Sequence, residues 1–422
     1  MTPGARVSAA IDLLSHVFTS SEQPFDIIVN QYFKQRRYAG SQDRRTILEL
    51  VYGVLRSFYK LLYITQEKLP RISSVRLYLL AYLKLFLHKE EELKDWFSGI
   101  GHAPPPLTMA EQDFLKDLSK EAVKWPAWAE ANIPEFLWSE FQSIFDVNAI
   151  SEAESLNQEA AVDLRVNLLK TSREVIKKSL ESEGIAVTEV PYSPFGLRVA
   201  RRLNLKDHPS YRQGLFEFQD EASQLISLLC DVQSGETILD YCAGAGGKTL
   251  ALAMLMGNKG RIDAYDVSSS RLKKAEFRAQ RTGCQNISFL ADAPDKTYDR
   301  VLVDAPCSGT GTWRRHPEWR LTLTSENLTK FTRLQKDIIF KAAQNVKGGG
   351  RLIYVTCSLL ACENEKIVEN FLAYHPQFKL MPVSIVWRKL LETPCQTTSP
   401  FLRFTPYQHK TDGFFIAIFE KK

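Results

Sequence analysis

The chain has 422 residues, 44% of them hydrophobic and 24% charged, with a formal net charge of +5. These values exclude a fibrous, low-complexity or disordered chain and fit a globular protein long enough for two or three domains. So small a net charge permits a polyanionic partner without requiring one.

The seven cysteines form no C-x-x-C pair and lie near no histidine pair, so no metal site is expected. An odd, scattered set also argues against a disulfide framework and for a reducing, cytoplasmic setting. Asp12 and His16 interrupt the apolar run that an export signal would need. The most apolar helical stretch, residues 75–87, carries Arg76 and Lys84. It also falls short of the ~20 residues of a membrane span, so no membrane association is expected.

Residues 1–145 read as helical throughout. Apolar residues recur at helical spacing in 7–18, in 46–62 (Ile47, Val51, Leu55, Phe58, Leu62) and after Val75. Pro104-Pro105-Pro106 must break the pattern. Short helices are expected to resume after Met109, around Trp125, Trp128 and Trp138. Lys34, Arg36, Arg37, Arg44 and Arg45 are interleaved with Tyr32, Phe33 and Tyr38. That mixture suits RNA, whose phosphates take charge and whose bases stack, and it equally suits a solvated helix face.

Residues 146–215 change character. Strand-like runs at 162–168 and 186–190 flank a helical run at 172–183, and Pro191, Pro194 and Gly196 then mark turns. This reads as a small α/β linker subdomain. In residues 216–422 short apolar runs at 237–241, 260–265, 286–290, 300–303 and 351–356 are mostly separated by helical segments. The alternation predicts an α/β domain with a mostly parallel sheet covered by helices on both faces.

The first of these runs ends in Asp240 and leads into Tyr241-Cys242-Ala243-Gly244-Ala245-Gly246-Gly247-Lys248-Thr249. Strand, glycine loop and helix bring backbone close to a nucleotide-like ligand. A phosphate-binding P-loop would need glycine at Cys242, and a dinucleotide fingerprint would need glycine at Thr249, so both patterns fail. Asp266 ends the next strand, roughly 20 residues on, where a carboxylate can hold ribose hydroxyls. Asp292 ends the third run, positioned for an adenine amino group, and Asp304 ends the fourth. A single such aspartate commonly caps a helix. The ordered set at successive strand ends reads instead as one crevice. S-adenosylmethionine fits it better than a dinucleotide, because it carries no pyrophosphate to cradle.

Two strand ends carry cysteine in a polar turn of small residues: Asp304-Ala305-Pro306-Cys307-Ser308-Gly309 and Thr356-Cys357-Ser358. Cys230, Cys242, Cys284, Cys362 and Cys395 read as ordinary buried thiols. Cys307 and Cys357 stand where α/β enzymes place their chemistry. A thiolate adding to C6 of a pyrimidine makes C5 enamine-like and able to take a methyl group, and covalent catalysis divides the hard step. Asp304 is a candidate to stabilise charge at the ring nitrogen. Lys248 would favour the thiolate. A second thiol could assist release. This chemistry leaves open which thiol attacks.

These residues resemble the RNA cytosine-5 methyltransferases of the nucleolar-protein/Sun class. The motifs that carry the likeness are Cys242 through Thr249, Asp266, Asp292, Asp304 through Gly309, Arg314-Arg315-His316-Pro317, Thr356-Cys357-Ser358 and Gly413-Phe414-Phe415-Ile416-Ala417. Upstream, Arg165-Val166-Asn167 and Gln219-Asp220-Glu221-Ala222-Ser223 belong to the same likeness. Leu50-Val51-Tyr52-Gly53-Val54-Leu55-Arg56 is similar to the NusB-like domain of the bacterial Sun/Fmu branch. The resemblance implies a helical NusB-like RNA-binding domain at 1–145, a linker subdomain at 146–215 and a Rossmann-like, S-adenosylmethionine-dependent methyltransferase domain at 216–422. It implies Cys357 as nucleophile and Cys307 as the group assisting release, beside the catalytic parts that the chemistry above gives Asp304 and Lys248. Residues 242–248 with Asp266, Asp292 and Asp304 would hold the cofactor. Ala245 departs from the proline common in the family, and a small residue keeps the loop's shape. The implied substrate is a cytosine of small-subunit (16S) ribosomal RNA; Arg314, Arg315 and the N-terminal basic cluster are candidate phosphate contacts, with a charged surface loop as the alternative for 314–320. Transfer RNA is the alternative acceptor, and a non-catalytic RNA-binding assembly factor the alternative class. A monomer is expected.

Overall fold

The computed structural model describes every residue except 21–22, 69–73, 119–122, 201–202 and 396, and omits the side chains of 67–68. The chain divides into two compact units, residues 1–158 with 313–324, and residues 159–312 with 325–422.

The first unit is helical among its described residues. Its opening helices are Pro3–Thr19, Phe25–Gln35, Ser41–Arg56, Phe58–Lys68 and Val75–Leu85. Thr2 caps the first of them by accepting from the Ala5 amide at 3.2 Å. Its inward stripe includes Val7, Ala10, Leu13, Leu14 and Val17, all buried. The triple proline separates the helices Leu93–Trp96 and Met109–Lys116.

The single helix expected over 46–62 is two, and the break falls at Ser57. A distant side chain makes the break. Asn132 Nδ2 donates to the Arg56 carbonyl at 2.6 Å, and Asn132 Oδ1 accepts from the Tyr59 amide at 2.9 Å and the Lys60 amide at 3.3 Å. One buried amide thus ends the first helix and starts the second. Trp313–Thr324 belongs to this unit although it lies far along the chain. Within it, Tyr59 Oη donates to the Arg320 carbonyl at 2.9 Å, and Arg320 Nη2 donates to Asn157 Oδ1 at 2.7 Å.

The basic cluster is committed differently from the sequence reading. Tyr32 and Phe33 are core residues, so they are no stacking platform. Arg36 pairs with Asp12 at 2.7 Å, and Arg45 pairs with Glu49 at 2.9 Å. Of the three interleaved aromatics only Tyr38 is exposed.

The second unit holds two sheets. The smaller is four-stranded, with β1 (Val162–Val166), β2 (Val187–Glu189), β3 (Gly196–Val199) and β4 (Phe216–Phe218) in the order β2-β3-β1-β4, all antiparallel. Leu164, Val166, Leu197 and Phe216 pack with Ile176 and Leu180 of the helix Arg173–Ser182.

The larger sheet contains β5 (Thr237–Asp240), β6 (Arg261–Tyr265), β7 (Ile287–Leu290), β8 (Tyr298–Asp304), β9 (Val346–Thr356), β10 (Phe378–Met381), β11 (Leu402–Phe404) and β12 (Phe414–Lys421). Its order is β10-β12-β9-β8-β5-β6-β7, with β11 pairing on β12. Strands β5 to β9 run parallel, and β12 enters antiparallel between β9 and β10. Alternate residues of the central strands feed opposite cores. Leu302, Ile353, Val355 and Ile416 face one side, and Val301, Val303, Leu352 and Tyr354 the other. Burial on both faces explains why β8 and β9 read as continuous apolar runs. The chain order reverses at β5, flanked by β6 on one side and β8 on the other. Open α/β sheets bind ligands beyond the carboxyl ends of the strands at such a switch point.

Candidate active site

The loop after β5 folds around two left-handed glycines, Gly244 at φ 54° and Gly246 at φ 83°. A side chain at Gly246 would stand 2.8 Å from Ala275 Cβ, so glycine is required by both conformation and space. The loop is tied to its surroundings through backbone. The Gly244 amide donates to Asp266 Oδ2 at 2.8 Å, and the Ala243 amide to the Tyr265 carbonyl at 2.9 Å. Arg165 Nη1 donates to the Gly247 carbonyl at 2.7 Å, and Arg278 Nη1 to the Ala245 carbonyl at 2.5 Å. Arg165 is fully enclosed on β1, so the small sheet holds the loop of the large one.

Residues 242–248 lie at the switch point with the strand-end acids. Asp266 follows β6 and is buried, with Oδ1 accepting from the Ser268 amide at 2.8 Å. Asp292 follows β7 and is exposed. Asp304 closes β8 and accepts from Lys248 Nζ at 2.7 Å. Burial opposes the charge on Lys248, but the facing Asp304 carboxylate prevails and holds the ammonium above its ordinary pKa. Cys242 is half-buried, and burial pushes its thiol well above its ordinary pKa.

Asp240 was not among the expected site residues. It is fully buried at the end of β5, with Oδ2 accepting from Thr249 Oγ1 at 2.7 Å. Burial raises its carboxyl to about 7, with the nearby Asp304 charge adding to the rise. Its Oδ1 has no protein partner. An aspartate at the first strand end is the signal that could have found it.

The two cysteine turns meet. Cys307 follows β8, Cys357 follows β9, and their Sγ atoms are 3.4 Å apart. Both thiols are half-buried. The hydrogen bond with Cys357 is the largest cause, and burial the next, that hold the Cys307 thiol well above its ordinary pKa. Gly311 and Gly413 close this corner. The Gly311 amide donates to the Cys357 carbonyl at 3.0 Å, and the Gly413 amide to the Gly311 carbonyl at 2.8 Å. A side chain on Gly311 would come within 2.2 Å of the Gly413 oxygen. Lys248 Nζ lies 4.9 Å from the Phe414 ring centre, so the loop lysine, Asp304 and the start of β12 share one corner.

Around the thiols runs a polar lattice that sequence reasoning did not find. Glu363, Gln335, Thr310 and Asn364 are all buried in it. Asn364 Oδ1 accepts from Thr356 Oγ1 at 2.6 Å, and its Nδ2 donates to the Ser358 carbonyl at 2.9 Å. The serine after each cysteine was the available signal.

Arg314 is buried, so it is not an open surface cation. The described residues contain no cluster able to hold a metal ion, and none of their helices is long and apolar enough to cross a membrane.

The strand order with β12 inserted antiparallel, the glycine loop at the switch point and the acids at successive strand ends define a Rossmann-like methyltransferase. Residues 227–420 match the family model of the 16S rRNA methyltransferase RsmB/F, and 133–206 match its ferredoxin-like domain. A probable ribosomal RNA small subunit methyltransferase B of Synechocystis sp. is 31% identical, over 92% of this chain and 93% of its own. The Bacillus subtilis protein of the same description is 28% identical over 90% and 91%. A solved methyltransferase homologue from Pyrococcus horikoshii is 27% identical, covers 72% of this chain and 100% of its own, and superposes with a TM-score of 0.61. The chain belongs to the RsmB/F family of RNA methyltransferases.

Proposed function

We propose that this protein transfers a methyl group from S-adenosylmethionine to C5 of a cytosine in small-subunit ribosomal RNA, through an adduct on Cys357. The observation that carries the reading is the meeting of two thiols, 3.4 Å apart, at the ends of adjacent parallel strands, beside the Lys248–Asp304 pair. The names of the similar proteins support the substrate.

The residues present fit the cofactor. Gly244 and Gly246 keep the loop free of side chains, Asp266 and Asp292 offer carboxylates for hydroxyl and amino groups, and Asp240 Oδ1 is a buried acceptor with no protein partner. The cofactor supplies an electrophilic methyl on a sulfonium. The protein supplies the rest. The Cys357 thiolate bonds to C6, and C5 gains enamine character. A proton passed from Lys248 through Asp304 to the ring nitrogen offsets the negative charge that thiolate addition places there, and it returns the same way on release. After methylation the C5 proton passes to water, the pair of the breaking S–C6 bond returns to Cys357 sulfur, and the ring is aromatic again. Cys307, in contact with the nucleophile, assists this release.

Cysteines outside any disulfide suit a reducing, cytoplasmic compartment. The protein acts as a monomer, with 1–145, 146–215 and 216–422 serving as RNA-binding, linker and catalytic segments.

The test is a pair of variants with tritiated cofactor and ribosomal RNA. Cys357→Ala abolishes methylation and still binds cofactor. Cys307→Ala accumulates a protein–RNA adduct that survives denaturant. Normal turnover by Cys357→Ala removes the nucleophile assignment, and methylation of transfer RNA alone replaces the substrate.

A further inference from the structure

Glu363 is the most enclosed carboxylate near the two thiols, with no measurable exposure. Its Oε1 accepts from the Ser308 amide at 2.8 Å and from Gln335 Nε2 at 2.9 Å. Its Oε2 accepts from Ser308 Oγ at 2.5 Å and from Ser358 Oγ in a shorter contact. All four donors are neutral. Ser308 directly follows Cys307, and Ser358 directly follows Cys357. One carboxylate therefore grips both cysteine turns at once.

The surroundings fix the carboxylate in turn. Tyr354 Oη, on β9, donates to the Glu363 carbonyl at 2.7 Å. Gln335 Nε2 also donates to the Pro306 carbonyl at 2.9 Å, tying the residue before Cys307 to the same point. Thr310 Oγ1 lies 3.2 Å from Ser358 Oγ and accepts from the Leu359 amide at 2.9 Å. An ionised carboxylate can accept all four bonds, whereas an amide presents two donors in place of one acceptor. Burying a charge among neutral donors is costly, and a joint that only needed strength could be built from apolar packing. What the carboxylate provides is a fixed distance between two turns.

We propose that Glu363 is a positioning residue that sets the separation of the Cys307 and Cys357 sulfurs through Ser308 and Ser358. It touches no reacting atom. The proposal rests on the reading of both cysteines as reactive groups, and its test separates the two.

The direct readout is closure of the Cys307–Cys357 disulfide by diamide in the full chain. Each thiol gives up one electron and one proton, the sulfur–sulfur bond forms, and the N=N bond of diamide is reduced to a hydrazine. Peptide mapping locates the bond by the loss of two hydrogens. Glu363→Gln and Glu363→Asp are expected to slow closure about tenfold or more, and to lower kcat about 100-fold, the scale of a 1 Å misplacement. The KM for RNA and cofactor affinity stay within about threefold. Where either variant fails to fold, Ser308→Ala and Ser358→Ala replace it, each expected to slow closure and lower kcat in the same sense. Closure at the wild-type rate in folded variants overturns the proposal. So does a loss of kcat that tracks lost cofactor affinity and lowered melting temperature, which marks a general structural role. Turnover by Cys357→Ala would remove the catalytic reading yet leave the effect on closure measurable.

Discussion

The chemistry of the site rests on residues that mean little singly. Lys248 is buried, and a lone buried ammonium would give up its proton. The 2.7 Å contact with Asp304 reverses that outcome, so the carboxylate keeps Lys248 charged and the contact aims both side chains. Asp304→Asn keeps the shape and removes the charge. It is expected to lower kcat about 100- to 1,000-fold, the range for losing one preorganised electrostatic contact. Lys248→Met leaves an uncompensated carboxylate and is expected to lower kcat and weaken cofactor binding together. Steady-state kinetics and cofactor titration read the difference. An Asp304→Asn enzyme within fivefold of wild type would place the carboxylate outside the reaction. Lys248, Asp304, Cys307 and Cys357 could all be named from their motifs, because Asp304 and the two cysteines lie at or just beyond strand ends and Lys248 follows the glycine loop into a helix. Glu363 and Gln335 could not, since neither occupies a strand end, and only the fold shows that they reach the two turns.

At the scale of elements, the legible parts were those whose pattern is local. The apolar runs at 237–241, 260–265, 286–290, 300–303 and 351–356 became β5 to β9. Strands β8 and β9 extend further back than their apolar runs. In β9, Val346 pairs with Tyr298 and the ladder resumes at Arg351 opposite Arg300, so residues 347–350 form an irregularity inside the strand. The three- and four-residue strands β3, β4, β10 and β11 had too little periodicity to announce themselves. The false joining of 46–62 has a sharper cause. Its apolar stripe continues through Ser57, and the interruption comes from Asn132, which no local window contains. Asn132→Ala would orphan the Arg56 carbonyl and the Tyr59 and Lys60 amides. It would also place alanine at φ 56°. The expected cost is about 2–4 kcal/mol, read as an earlier first transition in urea. Asn132→Asp retains the acceptor and should fall between. A cost under about 1 kcal/mol for alanine would mean that the helix break is held by other contacts.

At the scale of the whole molecule, the chain is not a simple series of units. The segment Trp313–Thr324 leaves the second unit six residues after Cys307 and is part of the first. Trp313 and Arg320 are each 1% exposed there. Residues from 1–158 provide their partners: Tyr59 bonds to the Arg320 carbonyl, Asn157 accepts from its guanidinium, and the Leu156 carbonyl accepts at 3.3 Å. A chain beginning at Glu159 therefore keeps the segment but removes what buries it. A tryptophan, a proline and an arginine would be released into water, along with backbone groups that had partners. Local opening then costs little, and cleavage by a protease follows the population of the open form. Trypsin should cut the shortened chain after Arg314, Arg315 or Arg320 about ten times faster than the full chain, or faster still. The strands β8 and β9 should stay protected, because their cores lie within 159–312 and 325–422. Equal cleavage rates in the two chains would show that the segment holds its fold without the helices. Faster cleavage confined to those arginines would show that the helical unit orders the stretch that follows the Pro-Cys turn.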